Sequence, residues 1–349
     1  MKDSINLSNI KKFSKTFKTS KTNSLSRNAL IKNDATNVAV DWDAFRNINH
    51  TFSNVISNQM PATNQKASGR CWGFAGLNLM RLNLAEKYNL DDFEFSQNYF
   101  MFWDKLEKAN YFLENIIKTF KEPYDGRLMM HLLYNPVQDG GQWDMFVNLV
   151  TKHGVVPKSA MPETQSSAAT NKMNSILYYQ VRQGAMKIRE MYKIEAGLDA
   201  MRQSKFETLK VVYKILCIHL GTPPKSFDWQ WNDKDGIFRR DGEITPQQFA
   251  QKYIATNLDE LVCLVNDPRE AHPYGITYTI GYLGNVVDGL AVKYLNLPIE
   301  EIKDITKRQL LDGRPVWMGC DTGKQNHRKL GIWDANLFDY EEALSLIHI

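Results

Sequence analysis

The chain has 349 residues, of which 43% are hydrophobic and 23% are charged. This composition is typical of a globular protein with a substantial core, and it excludes wholesale disorder. The net charge of +4 is too small over this length to require a nucleic-acid partner.

Cysteine usage and the distribution of apolar residues indicate the class of protein. The four cysteines lie far apart without a C-x-x-C pair, which predicts neither a disulfide framework nor a metal site. No apolar stretch approaches the ~20 residues that cross a bilayer, and the lysine-rich start lacks the apolar run of a signal peptide. We therefore expect a cytoplasmic protein with reduced thiols, no metal, no cofactor and no membrane contact.

Positive charge is concentrated in residues 1–36, which we interpret as a basic N-terminal arm. The basic residues of this arm are Lys2, Lys11, Lys12, Lys15, Lys18, Lys21, Arg27 and Lys32, opposed only by Asp3 and Asp34. Two interpretations stay open: a solvated arm or surface helix, and an arm that binds phosphate groups.

Residues 37–60 predict short helices and loops, and the Pro, Asn, Ser and Gly content of residues 61–70 predicts an irregular loop. A helix is predicted to begin near Cys71, because apolar residues then recur at helical spacing. Its predicted buried face consists of Trp72, Ala75, Leu79, Leu82 and Ala85. Gly73 and Gly76 would let another backbone pack closely against this helix.

Further along the chain, helical patterns give way to strand patterns. Helices are predicted over residues 96–119, 142–153 and 168–220, and a polar loop over residues 225–242. The segments ITYTIGYLGNVV and RPVWMGCD, after residue 275, favour strands because they are rich in β-branched and aromatic residues. We therefore predict an α+β fold with a helix-rich lobe over residues 37–270 and the start of a β-rich lobe over residues 271–349.

Cys71 lies in the stretch NQKASGRCWGFAG, where a loop meets the predicted helix. A helix N-terminus stabilises a thiolate through unpaired N–H groups and the positive end of the dipole. The side-chain amide of Gln65 and the backbone N–H of Cys71 could together hold an oxyanion during acyl transfer, and Trp72 could wall the cleft. The alternative is a buried structural thiol at a helix start.

The spacing Q-x5-C-W is typical of papain-like cysteine peptidases. The segment NQKASGRCWGFAGLNLMR resembles the catalytic-cysteine segment of one branch of them, the bleomycin hydrolase and aminopeptidase C family. Four later segments resemble that family in the same order: DGGQWDMFVNLVTKHGVVPKSAMPET, NDPREAHPY, YLNLPIEEIK and GRPVWMGCDTGK. The likeness runs from about residue 5 to about residue 340.

The resemblance implies a papain-like fold with helical insertions and a cytosolic thiol aminopeptidase that acts on peptides. It also implies a homohexamer with active sites facing a central chamber. Since some members bind DNA or RNA, weak nucleic-acid binding by the N-terminal arm stays open. By the same resemblance, Cys71 is the nucleophile and Gln65 the oxyanion-hole donor. Gly140 and Gly141 would let a substrate backbone pair with the cleft wall, because no side chain blocks it; the alternative for this DGG is an ordinary turn.

The general base is the missing part of this interpretation. In compact papain-like chains a histidine lies about 130–150 residues after the cysteine, which is where His219 falls. However, His219 ends a helical pattern closed by Gly and Pro, and helix-end electrostatics explains it instead. The resembled family carries its histidine in a T-H-A-M-like motif and its asparagine in an N-S-W-G motif, and neither motif occurs in this sequence. His348, in SLIHI, does not resemble that motif, and we interpret it as an unrelated tail residue.

We therefore expect the chain to end before the strands that would carry the base. A truncated gene model, read-through of unrelated sequence or a genuinely shortened protein would each give this sequence. Such a chain would leave strand edges unpaired, and we expect instability or abnormal oligomerisation. The alternative function is a nucleic-acid-binding or scaffolding protein with a vestigial peptidase site.

Overall fold

The computed structural model describes residues 4–56, 60–254, 257–320, 323 and 325–343. The chain divides into two compact units, residues 1–55 with 318–349 and residues 56–317. The boundaries expected from the sequence, after residues 36 and 270, stay a prediction. His348 lies outside the described residues.

The described elements run from helices to short strands, which confirms the α+β class. The helices are α1 (Leu7–Thr19), α2 (Lys21–Leu30), α3 (Ala35–Val38), α4 (Trp42–Arg46), α5 (Cys71–Tyr88), α6 (Gln97–Lys118), α7 (Arg127–Tyr134), α8 (Trp143–His153), α9 (Gln165–Ala168), α10 (Asn171–Lys193), α11 (Leu198–Leu220), α12 (Pro246–Tyr253), α13 (Ile299–Leu311) and α14 (Tyr340–Ala343). The strands are β1 (Phe227–Asn232), β2 (Phe238–Ile244), β3 (Leu264–Val265), β4 (Thr277–Thr279), β5 (Lys293–Asn296), β6 (Asn326–His327) and β7 (Ile332–Trp333). None of the helices in the described part of the chain combines the length and apolar composition of a membrane span.

The basic segment at the start of the first unit is helical. Asn6 begins α1 with a capping box, and the Ser20 side chain caps α2. Neither helix buries a residue, and neither contains an acidic residue. The predicted arm is thus a pair of exposed, lysine-bearing helices.

A small apolar cluster holds the rest of the first unit together. Its buried members are Val40, Ile332 and Leu337. Val40 forms an isolated antiparallel bridge with Phe338, and β6 pairs with β7 in an antiparallel ladder. Residues from both ends of the chain therefore share one core in this unit.

Helix α6 lies at the centre of the second unit and is buried along most of its length. Phe100 joins a core cluster with residues of α5, α8 and the β1–β2 hairpin. Phe102, Phe112 and Leu113 join a second cluster with residues of α10 and α11. The helix is therefore covered on opposite sides by two separate apolar cores.

The sequence prediction of a polar loop over residues 225–242 is wrong, because β1 and β2 form an antiparallel hairpin there. Trp229 and Trp231 stack at 5.3 Å between ring centroids, and Trp229 packs edge-on against Phe249. Asp228 pairs across the hairpin with Arg240 at 2.9 Å. Two of the aspartates that suggested a loop, Asp228 and Asp233, are partners of arginines on the hairpin. Trp229 joins the core, and Trp231 packs against it.

The strands after residue 260 are shorter than the sequence predicts. Strand β5 pairs in parallel with β3 and in antiparallel with β4. Within ITYTIGYLGNVV only β4 forms, and residues 314–320 of RPVWMGCD contain no strand. Trp317 instead packs against Trp143 at 5.2 Å, because β propensity is realised only where a pairing strand is available.

Helix α5 begins at Cys71 as predicted, but the face that it buries is only partly the predicted one. Trp72 and Ala85 are buried as predicted, and Leu77, Met80 and Leu84 are buried as well, whereas Ala75, Leu79 and Leu82 are only half-buried. Aromatic rings rather than another backbone approach the two glycines of the helix. A Cβ on Gly73 would lie 2.6 Å from Cε1 of Phe100, and one on Gly76 would lie 2.5 Å from Cε2 of Phe146.

We predict that Gly76→Ala destabilises the protein by about 1–3 kcal/mol through overpacking, although alanine favours a helix by about 1 kcal/mol over glycine. Urea unfolding followed by tryptophan fluorescence measures the change. Gly281→Ala is the control, because its Cβ would meet no atom within 4 Å. The double variant Gly76→Ala/Phe146→Leu should lose less free energy of unfolding than the sum of the losses in the two single variants, because the smaller side chain makes room for the added methyl group. Strict additivity of the two losses would contradict the packing explanation.

Candidate active site

Cys71 is the first residue of α5 and is exposed. The N-cap position is Arg70, and no side chain caps the helix. Arg70 points elsewhere: its guanidinium donates two hydrogen bonds to the Glu163 carboxylate, at 2.9 and 2.7 Å. The N–H groups at the start of α5 are therefore not occupied by a cap, which leaves them for an anion.

The loop before Cys71 is irregular, as predicted, and it is held by specific hydrogen bonds. The Ser68 hydroxyl donates to the Gln65 carbonyl at 2.6 Å, and the Gln65 side-chain amide donates to the Ser68 carbonyl. Ala67 forms an isolated parallel bridge with Ala169. This loop geometry turns the chain so that Gln65 comes back beside the start of α5.

A cavity of about 460 Å³ lies beside Cys71. Its lining residues are Ala62, Thr63, Asn64, Gln65, Cys71, Phe74, Ala75 and Asn78. The structure thus brings Cys71 and Gln65 to one cavity. Since a side-chain amide carries two N–H donors and Gln65 uses one on Ser68, the second is left for a ligand. None of the described residues that line the cavity is a histidine.

Gly140 and Gly141 lie next to the start of α5 and have different surroundings. A Cβ on Gly141 would lie 2.6 Å from Cε2 of Trp72, whereas one on Gly140 would meet no atom within 4 Å. The Trp72 indole is only 4% exposed, and its N–H donates to the Asp139 carbonyl at 2.6 Å. The Trp72 ring therefore leaves no room for a side chain at Gly141, whereas the space beside Gly140 is open.

Asp139 joins this segment to the cysteine loop. Its carboxylate accepts from the Gly69 N–H at 2.9 Å, from Thr170 at 2.6 Å and from Asn174 at 2.8 Å. It also forms an ion pair with Lys105 at 2.6 Å. Burial alone would raise the pKa of Asp139, but the Lys105 ammonium and the hydrogen bonds from Thr170 and Gly69 outweigh it and hold the pKa well below its ordinary value.

Two lysines of α6 lie beneath the same segment. The Lys105 ammonium also donates to the Val137 carbonyl at 2.6 Å. The Lys108 ammonium donates to Asp104 at 2.7 Å and to the carbonyls of Gln138 and Gly140 at 2.9 and 2.7 Å. Sequence reasoning missed Asp139 and both lysines; the available signal was two lysines inside a helical pattern whose other residues are mostly apolar, YFMFWDKLEKANYFLENII.

Three histidines of the second unit have partners that do not line the cavity. His153 hydrogen-bonds to Glu107 at 2.8 Å and stacks on Trp103, and His272 contacts Asp267 at 2.6 Å. His219 lies in the last turn of α11 and hydrogen-bonds to Ser166 at 2.8 Å. The helix-end placement of His219 agrees with its structural interpretation. Among the described residues, no group of three His, Cys, Asp or Glu side chains could hold a metal ion.

Comparisons with known proteins show which family this chain belongs to. A model of the Peptidase C1-like family matches residues 4–348. The bleomycin hydrolase of Rattus norvegicus is 40% identical over 322 residues, which cover 91% of this chain and 71% of the rat protein. The aminopeptidase C of Listeria innocua is 45% identical over 281 residues, which cover 80% of this chain and 63% of the Listeria protein.

A solved structure extends the match to the fold. The crystal structure of PepW from Lactobacillus rhamnosis superposes with a TM-score of 0.95 at 39% sequence identity, covering 100% of this chain and 78% of that one. This match confirms the papain-like α+β fold and the resemblance found in the sequence. The chain belongs to the Peptidase C1-like family and is a relative of the bleomycin hydrolases and aminopeptidases C.

Proposed function

We propose that this protein is a thiol-dependent aminopeptidase in which Cys71 attacks the carbonyl of the first peptide bond. The observation that carries the proposal is the exposed Cys71 thiol at the uncapped start of α5, in a chain related to bleomycin hydrolase and aminopeptidase C. Attack would form a thioester with the acyl group of the substrate and release the amine, and water would then hydrolyse the thioester.

The carbonyl oxygen becomes negatively charged as Cys71 attacks. In this proposal the Cys71 backbone N–H and the free N–H of the Gln65 amide donate to that oxygen. The shared cavity and the single use of the Gln65 amide on Ser68 support this assignment. Such donors stabilise a transition state in which charge develops on oxygen.

The substrate main chain would pair with Gly141. No described residue hydrogen-bonds to the amide or the carbonyl of Gly141, and this residue is half-buried. The open space at Gly140 would admit an extended peptide beside them. Because the Trp72 ring is buried, its contribution to binding would be to hold Gly141 in place.

We propose further that the general base and its asparagine partner are not among these 349 residues. His153, His219 and His272 are each engaged with other side chains, and no described residue of the cavity lining is a histidine. Without a positioned imidazole, nothing protonates the leaving amine efficiently. The chain alone would then bind and react at Cys71 but turn over slowly.

We predict that Cys71→Ser lowers covalent labelling by an epoxide inhibitor of cysteine peptidases, and any arylamidase turnover, by about 1000-fold or more. The serine hydroxyl is a far weaker nucleophile than the thiolate. Mass spectrometry of the labelled chain and release of an aminoacyl arylamine measure the two effects.

Cys320→Ser is the matched control, because Cys320 is the other exposed cysteine among the described residues. Labelling should be unchanged in this variant. Retained labelling in Cys71→Ser would exclude the proposed nucleophile. Strong turnover by the unvaried 349-residue chain would instead contradict the absence of the base.

Alanine substitutions at the two glycines should affect inhibitor binding and protein stability differently. Gly140→Ala should change the free energy of unfolding by less than about 0.5 kcal/mol, while weakening inhibitor binding by about tenfold through obstruction of the peptide path. Gly141→Ala should cost about 1–3 kcal/mol of stability, because its Cβ overlaps the Trp72 ring. Urea unfolding measures the stability of the two variants, and the inhibition constant KI measures their inhibitor binding. Equal losses of stability in the two variants would contradict the different roles assigned to Gly140 and Gly141.

The cytoplasmic location, the homohexamer and the peptide substrates of this protein are part of the same proposal and rest on the family resemblance. The alternative, a nucleic-acid-binding or scaffolding protein with a vestigial peptidase site, is favoured by one observation. Helices α1 and α2 expose their lysines and contain no acidic residue, so they present a positive surface.

The alternative predicts salt-dependent binding of duplex DNA. Replacing Lys11, Lys12, Lys15 and Lys18 with glutamine should reduce the slope of log K against log salt by about 0.9 for each phosphate that is no longer neutralised by a lysine. Fluorescence anisotropy of labelled DNA at several salt concentrations measures the slope. A negligible slope in the unvaried protein would exclude phosphate binding by these helices and remove the observation that favours this alternative.

A further inference from the structure

The segment of residues 137–140 has an unusual hydrogen-bond pattern. Each of its four consecutive carbonyls accepts a hydrogen bond from a side chain: Val137 from Lys105, Gln138 and Gly140 from Lys108, and Asp139 from Trp72. A segment without regular structure has no ladder partner for such carbonyls and satisfies them with side chains or with water. Here buried side-chain donors satisfy them, and these hydrogen bonds hold the backbone of the segment up to Gly141.

The donors themselves are rigidly held. The side chain of Lys105 is 0% exposed and that of Lys108 is 4% exposed. Lys108 uses all three of its ammonium protons, one on Asp104 and two on carbonyls. Its ammonium also lies 5.1 Å from the centre of the Trp72 ring. Because no proton is free, movement of the segment would leave a buried donor unpaired.

The same network holds the residues on both sides of Cys71. Gly69, two residues before the thiol, donates its N–H to the Asp139 carboxylate at 2.9 Å. Trp72, the residue after the thiol, donates to the Asp139 carbonyl at 2.6 Å. Asp139 therefore fixes the distance between the cysteine loop and the segment that ends at Gly141.

We propose that Asp104, Lys105, Lys108 and Asp139, here called the charge clamp, are positioning residues that hold Gly141 in register with Cys71 for peptide binding. This inference rests on the proposed function, since it assigns a role to groups that do not touch the substrate. The clamp acts on binding of the peptide main chain, because the carbonyls that it fixes lie in the peptide-binding segment. It leaves the intrinsic reactivity of the thiol unchanged.

The test removes one ion pair of the clamp as a unit. In Asp104→Leu/Lys108→Met the buried charges disappear together, so no unpaired charge remains in the core, but the Gln138 and Gly140 carbonyls lose their donor. Two reagents are compared on the full chain: iodoacetamide, which needs only the thiol, and an aminoacyl chloromethyl ketone with a free amino group, which also needs the peptide site. Thermal melting reports folding.

We predict that the double variant melts cooperatively and reacts with iodoacetamide at an unchanged rate. For the chloromethyl ketone, KI should rise by about tenfold, the effect of losing one or two hydrogen bonds, while the maximal rate of inactivation stays the same. The matched control is Glu114→Leu/Lys205→Met, which removes another buried ion pair of α6, at 2.6 Å, away from the cysteine loop. This control should leave KI unchanged.

A milder variant covers the case in which the double variant does not fold. Trp72→Phe keeps a ring against Gly141 but removes the donor to the Asp139 carbonyl, and KI should rise by about threefold or more. An unchanged KI in the folded double variant overturns the charge clamp, and so does an unchanged KI in Trp72→Phe if the double variant is unfolded. An equal rise in the Glu114→Leu/Lys205→Met control also overturns it.

The unvaried chain separates this inference from the proposed function. If its labelling by the chloromethyl ketone does not saturate, it has no peptide site, and the proposed function itself fails. If labelling saturates and the variants behave like the unvaried chain, only the charge clamp fails.

Discussion

The neutralisation of buried charge on helix α6 is the constraint on which the second unit depends. Five acidic or basic side chains of this helix are buried: Asp104, Lys105, Glu107, Lys108 and Glu114. Removing one partner of a buried ion pair typically costs about 3–5 kcal/mol. Each therefore requires an opposite charge at a defined place, supplied within the helix or by Asp139, Lys152 and Lys205. Since these partners come from separate segments, α6 determines where those segments lie.

One of those partners connects the core to the candidate site. Asp139 pairs with Lys105 in the core and also accepts the N–H of Gly69 in the cysteine loop. Arg70 also holds that loop. Its guanidinium donates two hydrogen bonds to the Glu163 carboxylate and therefore lies away from the start of α5. The loop is thus tied at adjacent residues by two ion-pairing groups, and the thiol follows immediately. The position of Cys71 depends on buried electrostatics as well as on the helix that it begins.

The parts of the structure that follow from local sequence were predictable. The start of α5 at Cys71, the loop before it and the return of Gln65 to the same cavity follow from composition and spacing over a dozen residues or so. The hairpin of β1 and β2 was not predictable, because an aspartate such as Asp228 suggests a loop unless its partner across the strands, Arg240, is known. The charge clamp was missed for a similar reason. A D-K-x-x-K pattern on a helix usually marks a solvated face, and only the tertiary fold places residues 137–140 over it.

The inward-facing carbonyls of residues 137–140 also affect how this segment meets other chains. An exposed extended segment normally offers a row of free carbonyl and N–H groups, which is the template for edge-to-edge association. Here the donors to all four carbonyls are buried side chains, so the carbonyls point into the protein. A second extended chain would find only the few main-chain groups that the core has not already engaged. The protein can therefore keep an irregular, half-buried segment beside an open cavity without creating an aggregation-prone β edge.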